Sequence, residues 1–88
     1  MEKMTIKEFF LSRKGLAIHC DTKEKAIKLL KEFGKQGYKW KSGLSYLQRN
    51  YWNVCEDKTC YSNVWTYGTA DYYQEEGFEI IEFEEIEF

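Results

Sequence analysis

Two places in the sequence carry the side chains that ligate metals or attack electrophilic carbon: His19 next to Cys20, and Cys55 with Cys60. Together they supply the donor set of a Cys3His zinc site. Neighbouring residues on a strand point to opposite faces, so His19 and Cys20 are poorly placed to share one tetrahedral ion. The Cys-x4-Cys spacing lies at the outer edge of usual ligand separations. We therefore expect no metal site and no cofactor, with cysteines that pack as small apolar side chains.

Catalysis by a cysteine and a histidine would need the His19 imidazole within hydrogen-bond reach of a thiol, and a third group to orient it. No spacing in the sequence indicates this arrangement. Carboxylates crowd the end of the chain, but general acid-base chemistry needs two environments that separate the pKa values of the acid and the base. One solvated row provides a single environment. We therefore expect a protein that is not an enzyme. The row itself is either a solvated edge that discourages strand pairing or a partner-binding surface, and its members are Glu82, Glu84, Glu85 and Glu87.

The stretch "GYKWKSGLSYLQRNYW", residues 37–52, holds five aromatic and three cationic residues and no acid. Proteins that bind nucleotides or single strands place aromatic rings and cations on one surface. The alternation in "YKWK" instead separates them, which predicts that Tyr38 and Trp40 pack in the core. The less regular part after Ser42-Gly43 keeps the candidate binding residues, because aromatics and arginine are enriched at interface hot spots. These candidates are Tyr46, Arg49, Tyr51 and Trp52.

Charge is divided unevenly along the chain, although the net charge is only -2. Residues 1–49 contain twelve Lys and Arg against five Asp and Glu, whereas residues 50–88 contain one against ten. Two interpretations follow. The basic helix and the acidic strand neutralise each other side by side, or an exposed acidic face imitates nucleic-acid phosphates and occupies a partner's basic groove.

The elements that must position these residues are readable from capping and periodicity. "TIKE" predicts a short helix that begins with a capping box of Thr5 and Glu8 and stops at Gly15. "GLAIHC" predicts a strand in which Leu16 and Ile18 share one face, opposite Ala17 and His19. "DTKE", with Asp21 and Glu24, opens the main helix, which ends at Gly34 or Gly37. Its apolar stripe is Ala26, Leu29, Leu30 and Phe33.

The second half of the chain is predicted to form mainly strands. "YKWKSG" is predicted to be a half-buried strand, and "NYWNVC" and "TCYSNVWTY" two more around an "EDK" loop. Thr69 caps a short helical turn in "GTADYYQEEG", which ends at Gly77. "FEIIEFEEIEF" changes parity, which predicts a strand with a bulge or break near Glu84 and Glu85. The fold class is α+β: a small antiparallel or mixed sheet of about four strands, one main amphipathic helix packed on one face, and one or two short helices.

Length and composition predict one domain spanning residues 1–88. "MEKMTIKEFF" lacks the apolar core of a signal peptide, and no apolar run reaches the length of a membrane span. An odd number of cysteines without a secretion signal favours reduced thiols. We therefore expect a cytoplasmic protein without a membrane partner.

The segments "LAIHCDTKEKAIKLLKEFGKQGYKWKSG", "TCYSN" and "YYQEEGFEIIEFEEIEF" give the chain a family resemblance. It resembles small accessory proteins encoded by bacteriophages and prophages of Gram-positive bacteria, some of which look like anti-CRISPR inhibitors of host immunity. The resemblance implies a host-cell cytoplasmic location and no catalytic motif.

Three functions are compatible with the sequence. The first is a non-enzymatic inhibitor that binds a host defence protein or complex through an acidic or aromatic surface. The second is a binder or sponge for a nucleotide signal or single-stranded nucleic acid, which requires a pocket where Tyr or Trp meets Lys or Arg. The third is a structural or regulatory phage protein that acts by self-association.

Overall fold

The computed structural model describes residues 3–43, 45–46 and 52–88. Its centre is a four-stranded mixed sheet of order β4-β3-β2-β5. β2 pairs antiparallel with β3 and parallel with β5, and β3 pairs antiparallel with β4. The predicted α+β class and four-stranded mixed sheet are therefore confirmed. The strands are β2 (Leu16–His19), β3 (Thr59–Ser62), β4 (Tyr67–Thr69) and β5 (Glu79–Glu82), and a separate parallel pair joins β1 (Met4–Thr5) to β6 (Ile86–Glu87).

Helices and single turns connect these strands. Thr5 and Glu8 form the predicted capping box, with the Glu8 amide donating to Thr5 Oγ1 over 3.1 Å. The long helix begins one residue later than predicted, because the Thr22 hydroxyl accepts from the Lys25 amide while Asp21 binds the Lys25 ammonium group. The elements are α1 (Ile6–Leu11), α2 (Lys23–Lys35), α3 (Trp52–Cys55), α4 (Ala70–Glu75) and the 3-10 turns Glu56–Lys58 and Phe83–Glu85.

The two faces of the sheet carry separate apolar clusters. Ile18 lies in register with Tyr61 and Ile81, and these three side chains belong to the larger cluster. Ala17 lies in register with Ile80, and both belong with Cys60 and Tyr73 to the smaller cluster. We call the two sides the large-core face and the small-core face. The predicted alternation along "GLAIHC" is thus confirmed. From α2, the large-core cluster takes Ala26, Leu29, Leu30 and Phe33.

Asn63, which follows β3, ties three segments together. Its side chain is buried, accepts from the Leu16 amide over 3.2 Å, and donates to the carbonyl oxygens of Phe9 and Lys14. The helix α1 stops at Leu11, so the predicted stop at Gly15 is wrong. Gly15 lies instead against the Phe78 ring, where an added Cβ would be only 3.0 Å from a ring carbon.

Three strand predictions in the second half need correction. "YKWKSG" forms no strand, and among the described residues its one ladder contact is an isolated bridge between Lys39 and Ser45. In "NYWNVC", Trp52–Cys55 is the helix α3, and "EDK" is a 3-10 turn instead of a hairpin loop. "TCYSNVWTY" is not one strand but the β3–β4 hairpin, whose turn places Trp65 at φ 63. Alternating apolar residues next to short turns therefore did not distinguish strand from coil here.

The end of the chain follows the prediction. β5 stops at Glu82, a 3-10 turn covers Phe83–Glu85, and β6 resumes at Ile86. The predicted break near Glu84 and Glu85 is confirmed, as is the Thr69 cap, whose hydroxyl accepts from the Tyr72 amide. Within the ranges given above, the helices are too short and too polar for any of them to cross a bilayer.

Candidate functional site

An open cleft of about 450 Å³ lies at the edge strand β4, where the two apolar clusters meet. Trp40 and Tyr67 reach it from the large-core cluster, and Tyr73 from the small-core cluster. Small-molecule sites are typically concave, mostly apolar, and range from about 300 to 1,000 Å³. The lining residues are Trp40, Lys41, Ser42, Trp65, Thr66, Tyr67, Tyr72 and Tyr73.

Trp65 has the most unusual backbone conformation among the described residues that line the cleft. It has φ 63, a left-handed conformation that is rare for a large aromatic residue and occurs preferentially at functional sites. The Trp65 carbonyl oxygen accepts from the Lys41 amide over 3.0 Å, which joins two walls of the cleft. Phe10 stacks on Tyr38 at 3.9 Å and on Trp65 at 6.2 Å between ring centroids. Trp65 thus ends an aromatic row and stays 41% exposed.

Glycine at position 68 lets the α4 rings approach the sheet. A Cβ there would lie 3.2 Å from the Tyr73 ring and 3.4 Å from the Tyr72 ring. Tyr73 is 2% exposed, whereas Tyr72 is 53% exposed. The Tyr73 ring therefore forms a buried part of the cleft wall, and the Tyr72 ring lies exposed at the rim.

A chain of three hydroxyl groups runs into this wall. Ser62 Oγ lies 2.7 Å from Thr66 Oγ1, which lies 2.8 Å from the Tyr73 phenolic oxygen. Ser62 Oγ also accepts from the amides of Val64 and Thr66. Burial raises the pKa of Tyr73, against the opposing effect of its hydrogen bonds to Ser62 and Thr66. The phenol is therefore protonated at neutral pH.

Charge around the cleft is asymmetric. Lys41 is the one cation among the described lining residues, and it is exposed. The helix α4 contributes no basic residue and places Asp71 and Glu75 at the surface, followed by exposed Glu76. The site thus combines aromatic faces, one ammonium group and hydroxyls, beside an acidic helix.

His19 forms a second polar cluster on the small-core face. Its Nδ1 lies 2.9 Å from a Glu82 carboxylate oxygen, and its Nε2 lies 2.7 Å from the Asp57 carbonyl oxygen. Both partners are acceptors, so the doubly protonated imidazolium satisfies both contacts. Desolvation lowers the pKa of His19, but the Asp57 hydrogen bond, the Glu82 hydrogen bond and charge, and the Asp21 charge outweigh it, so the net pKa is raised. This cluster joins β2, β5 and the turn Glu56–Lys58.

Cys20, Cys55 and Cys60 are free thiols. Burial raises the pKa of Cys20 and of Cys55, and raises the pKa of Cys60 to about 12. A thiolate nucleophile is therefore disfavoured at each position. Over residues 3–43, 45–46 and 52–88, no group of three or more His, Cys, Asp and Glu side chains is placed to hold a metal ion.

The predicted aromatic binding residues are spread over different environments. Tyr46 is 1% exposed and packs against Phe33 and Trp40 in the large-core cluster. Its role as a binding residue stays a prediction. Trp52 is partly buried against the same cluster. Arg49 and Tyr51 lie outside the described residues.

The two aromatics that we expected in the core also differ. Trp40 is 5% exposed and packs in the large-core cluster, as predicted, although its edge lines the cleft. Tyr38 is only partly buried and stacks on Phe10.

The four predicted acidic residues differ in their contacts. Glu82 pairs with His19, and Glu84 pairs with Lys25. The latter contact joins the acidic end of the chain to the basic helix α2. The Lys25 ammonium group lowers the pKa of Glu84. Glu85 and Glu87 are exposed and take part in none of the ion pairs found in the described structure.

Sequence reasoning missed Trp65, Thr66, Tyr67 and Tyr72 as site residues. The run "VWTYGTADYY" contains four aromatic residues within ten positions, and this density could have indicated a binding site. The sequence analysis assigns the run to a strand and a capped helical turn. Aromatic residues at alternating positions are typical of a strand, and the same pattern can line a cleft.

No family model matches the chain, and no curated protein or solved structure matches it either.

Proposed function

We propose that this protein is a non-enzymatic binding protein that captures a nucleotide signal or single-stranded nucleic acid in the aromatic cleft. The observation that carries the proposal is the meeting of exposed Trp65 and Tyr72 with Lys41 around one concave space. Bases stack on aromatic side chains, and phosphates bind cations, so a nucleotide site needs both on one surface. This is the arrangement that the sequence hypothesis of a nucleotide binder required.

Trp65 offers the stacking platform. It ends the row that starts with Tyr38 and Phe10, and 41% of its surface is open to solvent. A planar base that stacks on Trp65 extends the row. Stacking of a base on an aromatic side chain contributes about 1 to 3 kcal/mol and tolerates different bases.

The rest of the fold supports this proposal. In this proposal α2 is the main amphipathic helix and covers the large-core face. The β4 edge of the sheet is left to the ligand. A sponge for a nucleotide signal would also inhibit a bacterial defence system without touching a defence protein, in agreement with the phage resemblance.

Binding is tested by titrating the protein with a panel of nucleoside monophosphates, cyclic nucleotides and a short oligo-dT, followed by tryptophan fluorescence and calorimetry. Trp65→Ala and Tyr72→Ala should each weaken binding roughly tenfold or more, because each removes a stacking surface. The matched control is Phe88→Ala, which removes a similarly exposed ring, 47% accessible, outside the cleft lining. Failure of the whole panel to bind would contradict the proposal.

The second candidate function is a protein inhibitor that binds a host defence protein or complex through its acidic end. It is favoured by the exposure of Glu85 and Glu87, because neither carboxylate takes part in an ion pair in the described part of the chain. Glu82 and Glu84 contribute less to such a surface, since His19 and Lys25 already engage them. Charge complementarity with a basic groove would steer the encounter.

Purification from a bacterial host that carries defence systems tests this second function. A stoichiometric host protein should accompany the wild type and be lost with Glu85→Lys/Glu87→Lys. Retention of the partner by this variant but not by Trp65→Ala would assign the contact to the aromatic cleft. Recovery of no partner, with phage growth unchanged, would count against the inhibitor.

A further inference from the structure

We infer that the ligand of the cleft is single-stranded nucleic acid, whose phosphates follow four exposed cations around the turn that carries Trp65. This inference rests on the proposed function and decides between the two ligand classes that it names. We call the four cations the cationic track. Its members are Arg13, Lys14, Lys39 and Lys41.

Two segments of the chain supply the cationic track, and hydrogen bonds tie both of them to the turn 63–66. The Asn63 side chain donates to the Lys14 carbonyl oxygen over 2.8 Å. The Trp65 carbonyl oxygen accepts from the Lys41 amide over 3.0 Å. The turn is therefore bound to one cationic segment at Trp65 and to the other segment two residues earlier.

The aromatic row links the same two segments. Phe10, three residues before Arg13, stacks on both Tyr38 and Trp65, with centroid distances of 3.9 and 6.2 Å. Tyr38 directly precedes Lys39. The exposed Trp65 ring and the cations therefore come from parts of the chain that contact one another, which is the combination that binding of a single strand requires.

The charge of the cationic track is not neutralised within the described structure. None of its four side chains takes part in an ion pair among the described residues. The segments 9–15 and 35–43 together contain five cations and no acid, and only the fifth cation, Lys35, is paired, with Glu32. Residues 69–76, which include α4, instead contain three acids and no cation. A strand that leaves the cleft is therefore attracted by the track and repelled by α4.

The number of cations favours a polymer over a mononucleotide. Lys41, in the cleft lining, is sufficient for the phosphate of a mononucleotide, and the other three members of the track lie outside the lining. A polyanion that neutralises several cations releases counterions, which supplies much of the affinity for nucleic acids. The Trp65 ring selects a single strand, because the bases of a duplex are stacked on one another and are not free to stack on protein.

The salt dependence of binding counts the phosphate contacts. For single strands, the slope of log K against log salt is about −0.7 for each phosphate neutralised, so four contacts give about −2.8. Wild-type affinity for an oligo-dT of eight nucleotides, measured by tryptophan fluorescence, should therefore fall roughly fiftyfold from about 50 mM to about 200 mM salt. Arg13→Gln/Lys14→Gln and Lys39→Gln/Lys41→Gln each remove two contacts and should reduce that fall to roughly sevenfold.

The matched control is Lys23→Gln/Lys58→Gln, which removes the same charge away from the turn 63–66. Lys23 begins α2, about 18 Å along the helix from Lys35, and Lys58 precedes β3, whose other end leads into the turn. Both lysines are exposed and belong to none of the ion pairs in the described part of the chain. The control should keep the roughly fiftyfold fall. An equal reduction in the control would assign binding to net charge and overturn the track.

Ligand length and pairing provide a measurement that needs no variant. The oligo-dT should bind at least roughly tenfold more tightly than thymidine monophosphate, because several of its phosphates reach the cationic track. The same strand paired with oligo-dA should bind at least roughly tenfold more weakly than the single strand, because its bases no longer reach Trp65. An oligo-U of the same length identifies the sugar, and tight binding of either the DNA or the RNA strand supports the inference.

Three outcomes overturn the inference. If thymidine monophosphate binds as tightly as the oligo-dT, and the track variants leave the salt dependence unchanged, the strand is overturned and nucleotide binding remains in place. If duplex and single strand bind alike and Trp65→Ala changes neither, the protein attracts polyanions without using the aromatic platform. If no member of the panel binds, both this inference and the proposed function are overturned.

Discussion

The two faces of the four-stranded sheet differ in the interactions that their side chains make. Among the described residues, the large-core cluster contains fourteen buried side chains, and nearly all of them are aromatic or aliphatic. The small-core cluster contains three, Ala17, Cys60 and Tyr73, and is bordered by the hydroxyl chain and the His19 cluster. The large-core face therefore supplies most of the apolar burial, and the small-core face positions polar groups at the cleft.

The two faces should differ in how well they tolerate sequence changes. Removal of a large-core ring leaves a cavity, and cavities are strongly destabilising in a domain this small. Changes at the small-core face act instead on hydrogen bonds and charges whose net contributions are smaller. Stability should thus depend mainly on the large-core face, and the predictions below test that division.

Phe33→Ala should have the largest effect. The Phe33 ring is fully buried and contacts Phe9, Phe10 and Tyr46 at centroid distances of 6.0, 4.8 and 5.1 Å. Loss of a buried phenylalanine ring costs about 3 to 5 kcal/mol. The free energy of unfolding in urea measures it. Ile27→Ala on the same helix, where the side chain is 44% exposed, is the matched control and should cost much less. Similar costs for both variants would contradict the assigned core.

Asn63→Ala should have the next largest effect. The buried amide bonds the Leu16 amide and the carbonyl oxygens of Phe9 and Lys14, so its removal leaves those groups without partners. We expect a loss of about 2 to 3 kcal/mol in the free energy of unfolding. Gln74→Ala on exposed α4 is the control, with a change within about 0.5 kcal/mol. A loss confined to that range at Asn63 would mean that the clamp is not formed.

Local sequence patterns predicted much of the large-core face. The capping box of Thr5 and Glu8, the stripe of Leu29, Leu30 and Phe33, and the alternation of Leu16 to His19 are each encoded within a few residues. Such patterns depend on neighbours in sequence, which is why they can be read without a structure.

The cleft could not be predicted in the same way, because it depends on contacts distant in sequence. The Lys41 amide donates to the Trp65 carbonyl oxygen from a segment far away in the sequence. Tyr73 is only seven residues from Thr66, but the two meet only after α4 folds back over β4. The left-handed Trp65 has no sequence signature, since glycine or asparagine is the usual residue in that conformation. The burial of Tyr46 was not predicted either, because an irregular segment can still bury a ring.

His19 provides a pH-dependent comparison of the faces. Its folded pKa is raised above the ordinary value of 6.5, so the stabilisation is fully present below that pH and is lost as pH rises through the folded pKa. The wild-type advantage over His19→Gln should therefore decrease from about pH 5.5 to about pH 8.5, by less than about 1 kcal/mol because Glu82 is half exposed to solvent. Urea unfolding of both proteins at the two pH values measures this. An advantage that grows with pH would show that His19 is not held as the imidazolium.

The Lys25–Glu84 pair should have the smallest effect. It links α2 on the large-core side to the acidic turn after β5, but solvent reaches both groups and screens the attraction. Glu84→Gln should lower the unfolding midpoint slightly at low salt and leave it unchanged at about 1 M salt, where the screening length is only about 3 Å.

The pH dependence of this pair has the opposite sign to that of His19. The pKa of Glu84 is lowered by Lys25, so the stabilisation is present above the ordinary carboxyl pKa and is lost as pH falls through the folded value. Glu87→Gln is the matched control, because Glu87 is also exposed and belongs to none of the ion pairs in the described structure. If both variants showed the same salt dependence, the long-range charge of the acidic end would account for the effect, and the halves of the chain would neutralise each other without a specific pair.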